Sequence, residues 1–359
     1  MTINILQKAV QVNQVKKDKD FKSIILLEAA VFRAARNFLE GQGYIEMFPP
    51  RIVRASGACE NIDTLFEVTA EGEKKWFRSE AGKPVNAYLA QTGQLYLEAF
   101  VSELKKVYCV GPSFRAERAI DNRHLTEFKM IEIEFEGDFE KLLEIIQATV
   151  YQIAQYVAQQ AHLYPQSYSL SEKDIERLQE VPVNFARLTY DQAITTLQAL
   201  GEKVNWGDDI SSYREQLLIQ STGNIPLFIT HFPDPMWPHG KELEVEKFFN
   251  MLPDEKNPGR VLSADLILPG AGESVGAAAR IHNVDVMIDR LKKSKMYKRL
   301  VSRGGDLDDF SWYINQLRTR GSVPHAGCGF GMARIIKWIV GKDNIHDCLS
   351  FPQHREYLI

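Results

Sequence analysis

The chain holds little that would let it be stapled, anchored or laid along nucleic acid. Its 359 residues include only four cysteines, Cys59, Cys109, Cys328 and Cys348, widely scattered and without a CxxC pair. That spacing argues against a zinc site and a disulfide framework, and leaves reduced, mostly buried thiols. No run approaches the roughly 18 apolar residues a membrane span needs, and IIKWIV (335–340) is among the greasiest stretches. The opening MTINILQKAV lacks the basic-then-apolar order of a signal peptide and soon gives way to KKDKDFK. A cytoplasmic protein is expected. A basic excess is missing as well: 43 Lys and Arg against 47 Asp and Glu give a net charge of −4. The overall balance therefore does not advertise binding through nucleic-acid phosphates.

What is present is an ordinary globular composition, 45% apolar and 25% charged. At roughly 150 residues per domain the length suggests about two domains, but no Pro/Gly/Ser-rich linker separates them. One large domain is expected over 22–359, with an insertion around 163–222 and a charged arm at 1–21. Helical recurrence marks 22–42 and 138–162, and further helices are expected near 190–200, 283–300, 306–320 and after Gly331. Short strands are expected at 64–68, 86–90, 106–111, 225–230 and 261–268. In KMIEIEFEG (129–137), Ile131, Ile133 and Phe135 alternate with Met130, Glu132, Glu134 and Glu136. That is a strand with one apolar and one acidic face. Hairpin-linked strands with helices gathered around them predict an α+β fold built on an antiparallel sheet.

Three constellations carry chemistry. The loop in GPSFRAERAIDNRHLTEFKMIEIEFEG (111–137) crowds Arg115, Glu117, Arg118, Arg123, His124 and Glu127 between two strands. Arginines at both ends of such a loop can grip separate phosphates, although a salt-bridged surface hairpin would look similar. In VPHAGCGFGMARIIKW (323–338), Gly327, Gly329 and Gly331 alternate before Arg334 on a helix's first turn. Alternating glycines let a ligand or another backbone lie close, and a helix start favours phosphate; taken alone, plain packing is the more common reason for such glycines. The spacing is not a dinucleotide fingerprint. In ADLILPGAGESVGAAARIH (264–282), Asp265 and Glu273 bracket a Pro-Gly turn, as a Mg²⁺ ion on a nucleotide would require. Arg280 is a lone cation in a small, apolar stretch and needs an anion, from a substrate carboxylate or an internal Glu.

Together these segments resemble the catalytic core of class II aminoacyl-tRNA synthetases, on the aspartyl/asparaginyl branch and nearest its asparaginyl members. FRAE…RHLTEF resembles the second class signature, and Gly327 through Arg334 the third. GYIEMFPPRI (43–52) is similar to a divergent first signature, which in the family builds a dimer interface around a proline, here Pro50. TGQLYLEA (92–99), WGDD (206–209) and DNIHDCLSFP (343–352) also fall in family order. The resemblance implies ATP and Mg²⁺ as cofactors, an Asn- or Asp-type amino acid as substrate, and a homodimer. It implies that Arg115 contacts the α-phosphate and the amino acid carboxylate, that Glu117 holds the adenine end, and that Phe128 stacks on the ring. It places Arg123, His124 and Arg334 on the outer phosphates, and Asp265 and Glu273 on Mg²⁺. Arg115 and Arg334 become the catalytic cations.

For the amino acid, the resemblance implies that Glu60 binds the α-amino group and that Arg280 reaches the side-chain oxygen. Gln94 and Glu98 complete the pocket. Leu97 stands where aspartyl members carry a Lys, and Glu98 can accept from an amide N–H, so the pattern leans toward Asn. Ile281-His282, Ala277, Ala278 and Asn61 depart from the family pattern around the same pocket. Full synthetases carry an anticodon-reading OB-fold before this core, and residues 1–21 offer no room for its five strands. The expected reaction is therefore adenylation followed by transfer to ammonia or a small amine. Charging of tRNA by a truncated asparaginyl enzyme and a catalytically silent paralogue are the alternatives.

Overall fold

The alternation in 129–137 sets the layering of the molecule. Ile131, Ile133 and Phe135 enter the main hydrophobic core, while Glu132 and Glu134 point the other way and are buried too. Each buried Ile contributes about 1.5–3 kcal/mol, which fixes the strand's facing. The computed structural model describes residues 21–55, 62–118, 121–245 and 247–358. The arm over 1–20 and the positions Cys59, Glu60 and Asn61 lie outside the described residues.

The central sheet contains β1 (Ile45–Glu46), β2 (Lys106–Phe114), β3 (Glu127–Glu136), β4 (Ala186–Thr189), β5 (Leu227–Thr230), β6 (Ser263–Leu268), β7 (Gly272–Ala279) and β8 (His325–Gly331). Their spatial order is β1-β2-β3-β8-β7-β6-β5-β4. The inner pairs are antiparallel, as expected for this α+β chain. The outermost pairs, β1 with β2 and β4 with β5, are parallel. The helices that matter below are α1 (Phe21–Gly41), α2 (Gln94–Glu98), α3 (Phe139–Leu163), α4 (Ser212–Ser221), α5 (Ser311–Arg320) and α6 (Met332–Val340).

Helices α1 and α3 pack together on the apolar side of the sheet. Leu27, Val31, Ala35 and Leu39 of one and Leu142, Ile146, Val150 and Ile153 of the other join the core beneath β3, β7 and β8. Asp138 caps α3 by accepting the Lys141 backbone N–H at 2.8 Å. The segment 163–222 supplies Glu172–Gln179, Tyr190–Ala199 and α4, and its strand β4 extends the sheet's edge beside β5. The helix expected over 283–300 is instead two, Val284–Lys293 and Lys295–Ser302. Ser294 is extended between them, and its side chain caps the second at Tyr297 N. The strand expected at 64–68 is a 3-10 turn at Ile62–Thr64 and a single bridge from Glu67 to Tyr88. Among the described residues no helix is long and apolar enough to cross a membrane.

Candidate active site

The face of the sheet opposite α1 and α3 is polar, and the loops around it close a cavity. Gln94, Arg115, Glu117, Arg123, His124, Phe128, Asp265, Glu273, Arg280 and Arg334 all line it. Glu98 lies beneath the floor, and Glu60 falls outside the described residues. Of the residues read from the sequence as site members and described here, then, all but Glu98 reach one space.

The upper wall is cationic. Arg115 follows β2, and its guanidinium sits 5.4 Å from the Phe128 ring centroid across the hairpin. Its Nε is buried with no hydrogen-bond partner among the described residues. A buried donor left open in this way costs stability unless an anion or acceptor fills it. Arg334, on the first turn of α6, donates to the Glu273 backbone carbonyl. Arg123 Nη2 lies 3.7 Å from Glu215 Oε2, and the His124 ring pairs with Asp121 at 2.7 Å.

Asp265 on β6 and Glu273 on β7 face the cavity from neighbouring strands, with Asp265 opposite Gly276 in register. Asp265 is raised to about 7 by burial and by the charge of Glu273, against the pull of Lys247. The Glu273 carboxylate makes no hydrogen bond or ion pair among the described residues. Hard oxygen donors that repel one another, one of them unpaired, fit a divalent cation such as Mg²⁺.

The floor is a buried charge cluster. Arg280 Nη2 lies 2.7 Å from Glu134 Oε1, with Nε at 3.1 Å. Of the two partners left open for Arg280 by the sequence, the structure supplies the internal one. Glu98 accepts from Gln94 Nε2 at 2.6 Å, Asn250 Nδ2 at 2.9 Å and Tyr313 Oη of α5 at 2.6 Å. His325 Nε2 stands 3.4 Å away, while Nδ1 faces the Val323 carbonyl at 2.7 Å. With these donors around a side chain that has no exposed surface, Glu98 has no face left for a substrate amide. The expectation that Glu98 reads an amide is corrected on that ground, and the carboxylate that borders the cavity is Glu134.

The two acids titrate apart. Burial opposes ionisation of Glu98, but the His325 bond, Arg280 and the Tyr313 bond prevail and hold it near 2. Burial raises Glu134 to about 7, with Arg280 pulling down and the Glu98 charge pushing up. His325 is raised despite burial, because Glu98 and Glu134 both favour its cation.

The glycines of β8 make room for this floor. Gly327 pairs with Glu134 on one side and Ala278 on the other, and a Cβ there would overlap the Glu134 carboxylate. A Cβ on Gly329 would strike the Met130 side chain. The alternating glycines therefore serve neighbouring side chains of β3.

The profile of the family tRNA synthetases class II (D, K and N) matches residues 8–355. The chain belongs to that family. It is 34% identical over 333 residues to an asparagine–tRNA ligase of Desulforamulus reducens, covering 92% of this chain and 69% of the relative. A Pyrococcus abyssi asparagine–tRNA ligase matches at 34% over 332 residues, covering 92% and 68%. Among solved structures, asparaginyl-tRNA synthetase from Pyrococcus horikoshii complexed with asparaginyl-adenylate aligns with a TM-score of 0.76 and 30% identity. That alignment covers 94% of this chain and 70% of the other.

Several residues of this class II site escaped the sequence reading. Glu132 accepts from the Thr92 hydroxyl and from Gly93 N at 2.8 Å, so it pins the turn that starts α2. Glu215 of α4 is raised to about 7 by burial and the Glu273 charge, against Arg123 and Arg334. Lys247 pairs with Asp265. The acidic face of β3 was the one available signal, since a buried acidic face must be answered by donors from elsewhere.

Gly327→Ala tests the floor. The added methyl must displace Glu134 from Arg280 in a packed site, an overpacking cost of about 1–3 kcal/mol. Thermal unfolding of the variant should show a lowered Tm, and a Tm equal to the wild type would refute this geometry.

Proposed function

We propose that this protein activates an amino acid of the Asn/Asp type with ATP, as an aminoacyl adenylate, and favours asparagine. The observation that carries the reading is the cavity that joins Arg115, with its unfilled buried Nε, to Phe128, Arg334, Asp265 and Glu273. The amino acid carboxylate attacks the α-phosphorus, a new O–P bond forms, and the bond to the bridging oxygen breaks with its electron pair leaving on pyrophosphate. A carboxylate is already ionised at neutral pH, so no general base is required. Arg115 would stabilise charge on the α-phosphate, while Arg123, His124 and Arg334 would hold the outer phosphates. Phe128 would stack on the adenine, with Glu117 at its edge. Asp265 and Glu273 would hold Mg²⁺, which when bound neutralises phosphate charge.

Selectivity for an amide rests on the floor. Glu134 offers an acceptor to an N–H, and Arg280 lines the same wall of the cavity. The acceptor in this reading is the 3′ end of a tRNA, the partner type that the relatives' names carry. Transfer to ammonia or a small amine is the competing outcome. Phe48, 87% exposed beside Pro50, with Ile45 and Ile52 nearby, supports a homodimer through this edge.

ATP–pyrophosphate exchange should proceed with asparagine more than with aspartate and without tRNA, and Arg115→Ala should abolish it. Exchange in that variant at the wild-type rate would end the proposed phosphate role. Charging of total tRNA then supports the tRNA acceptor, whereas an amide product formed only with added amine replaces it. Acid should weaken amino acid binding. As pH falls through about 7, Glu134 gains a proton and ceases to accept from the amide, so KM for asparagine should rise; a flat KM for asparagine from pH 8 to 6 would exclude the role. Phe48→Glu should convert a dimer to monomers in analytical ultracentrifugation, and an unchanged mass would place the interface elsewhere.

A further inference from the structure

Lys247 is a cation of the cavity that belongs neither to the phosphate-binding set nor to the floor. Lys247 enters from the segment before β6 and places Nζ 2.6 Å from Asp265 Oδ2. Both side chains are largely buried, 11% and 14% exposed. The ammonium also lies 3.7 Å from the Phe232 ring centroid, a cation–π contact that holds it on the rim of the cavity. It lines the same space as Asp265 and Glu273. An ammonium that close to a carboxylate oxygen occupies a position a divalent cation would need. A metal arriving without nucleotide must first break a largely buried ion pair, whereas metal arriving with ATP brings phosphates to which a displaced Lys247 can turn.

We propose that Lys247 is a tethered counter-ion that competes with the divalent cation for Asp265, so that metal binds well only together with the nucleotide. This rests on the metal role proposed above for Asp265 and Glu273. Lys247 is then a positioning residue: it keeps Asp265 neutralised between turnovers and makes metal and ATP bind cooperatively. Reciprocity requires that ATP and metal strengthen one another by the same factor.

The test measures free Mn²⁺ by electron paramagnetic resonance, with the full chain and no amino acid. Wild-type protein should bind Mn²⁺ weakly alone and far more tightly with an unhydrolysable ATP analogue. Lys247→Met should bind Mn²⁺ alone about tenfold more tightly, with the gap closing when the analogue is present. Lys247→Arg, which keeps a cation, should resemble the wild type. Equal Mn²⁺ affinity of Lys247→Met and wild type without nucleotide would overturn the inference and leave Lys247 a structural pin. If Mn²⁺ binds neither protein even with the analogue, the metal role of Asp265 and Glu273 fails instead. A wild-type readout covers a variant that does not fold. Saturating Mn²⁺ should speed reductive methylation of Lys247, read by mass spectrometry, because the amine leaves Asp265; an unchanged rate would also overturn the proposal.

Discussion

The ion pair between Glu134 and Arg280 is the constraint around which the rest of the site is arranged. It spans three strands: Glu134 is on β3, Arg280 follows β7, and β8 runs between them. The pair can close only over a residue without a side chain, which is why Gly327 stands opposite Glu134. The Arg280 backbone N–H donates to His325 O at 2.9 Å, so the arginine is fixed to the start of β8 as well. A buried charge broken from its partner costs about 3–5 kcal/mol. Conservative side-chain changes at this crossing are therefore changes to the sheet itself, and the floor is as rigid as the strands that carry it.

Rigidity below and open charge above divide the cavity into two regions. Every oxygen of Glu98 is engaged, and its donors come from α2, α5, the start of β8 and the segment before β6. That saturation makes it a keystone for elements distant in the chain. Nearer the loops, among the described residues, Arg115 keeps an unfilled donor, Glu273 an unpaired carboxylate, and Arg123 a 3.7 Å contact to Glu215. Groups held loosely or left open are those whose partners are expected to arrive with a ligand.

Much of this was legible in the sequence because it is local. Helices α1 and α3 follow from apolar periodicity, and β3 from alternation of Ile and Phe with Glu. Arg115 through Phe128 lie on one hairpin, so their spacing alone brings them together. The remainder depends on pairings that spacing does not encode. Lys247 is 18 residues from Asp265 and separated from it by an irregular segment, while Glu215 reaches Glu273 from 58 residues away. Glu98 was misassigned for a related reason. Glu98 and Glu134 are both buried acids near Arg280, and the local sequence does not say which one the donors of Gln94, Asn250, Tyr313 and His325 will saturate. Only their convergence decides it.

That division of labour between two acids also bears on the choice between amide and carboxylate substrates. Glu98, held ionised, and Glu134 share the floor with Arg280 and with His325, which is pushed toward its cation, so acids and cations there offset one another. In the proposed reaction a neutral amide would leave that arrangement intact and offer N–H groups to Glu134. A substrate carboxylate would add a further buried negative charge beside Glu134, a juxtaposition that costs several kcal/mol. It becomes tolerable only if Glu134 takes up a proton, which burial brings to about pH 7. In the proposed reaction, discrimination against the acid would therefore be strongest at alkaline pH, where the same carboxylate that accepts from an amide repels its acidic counterpart.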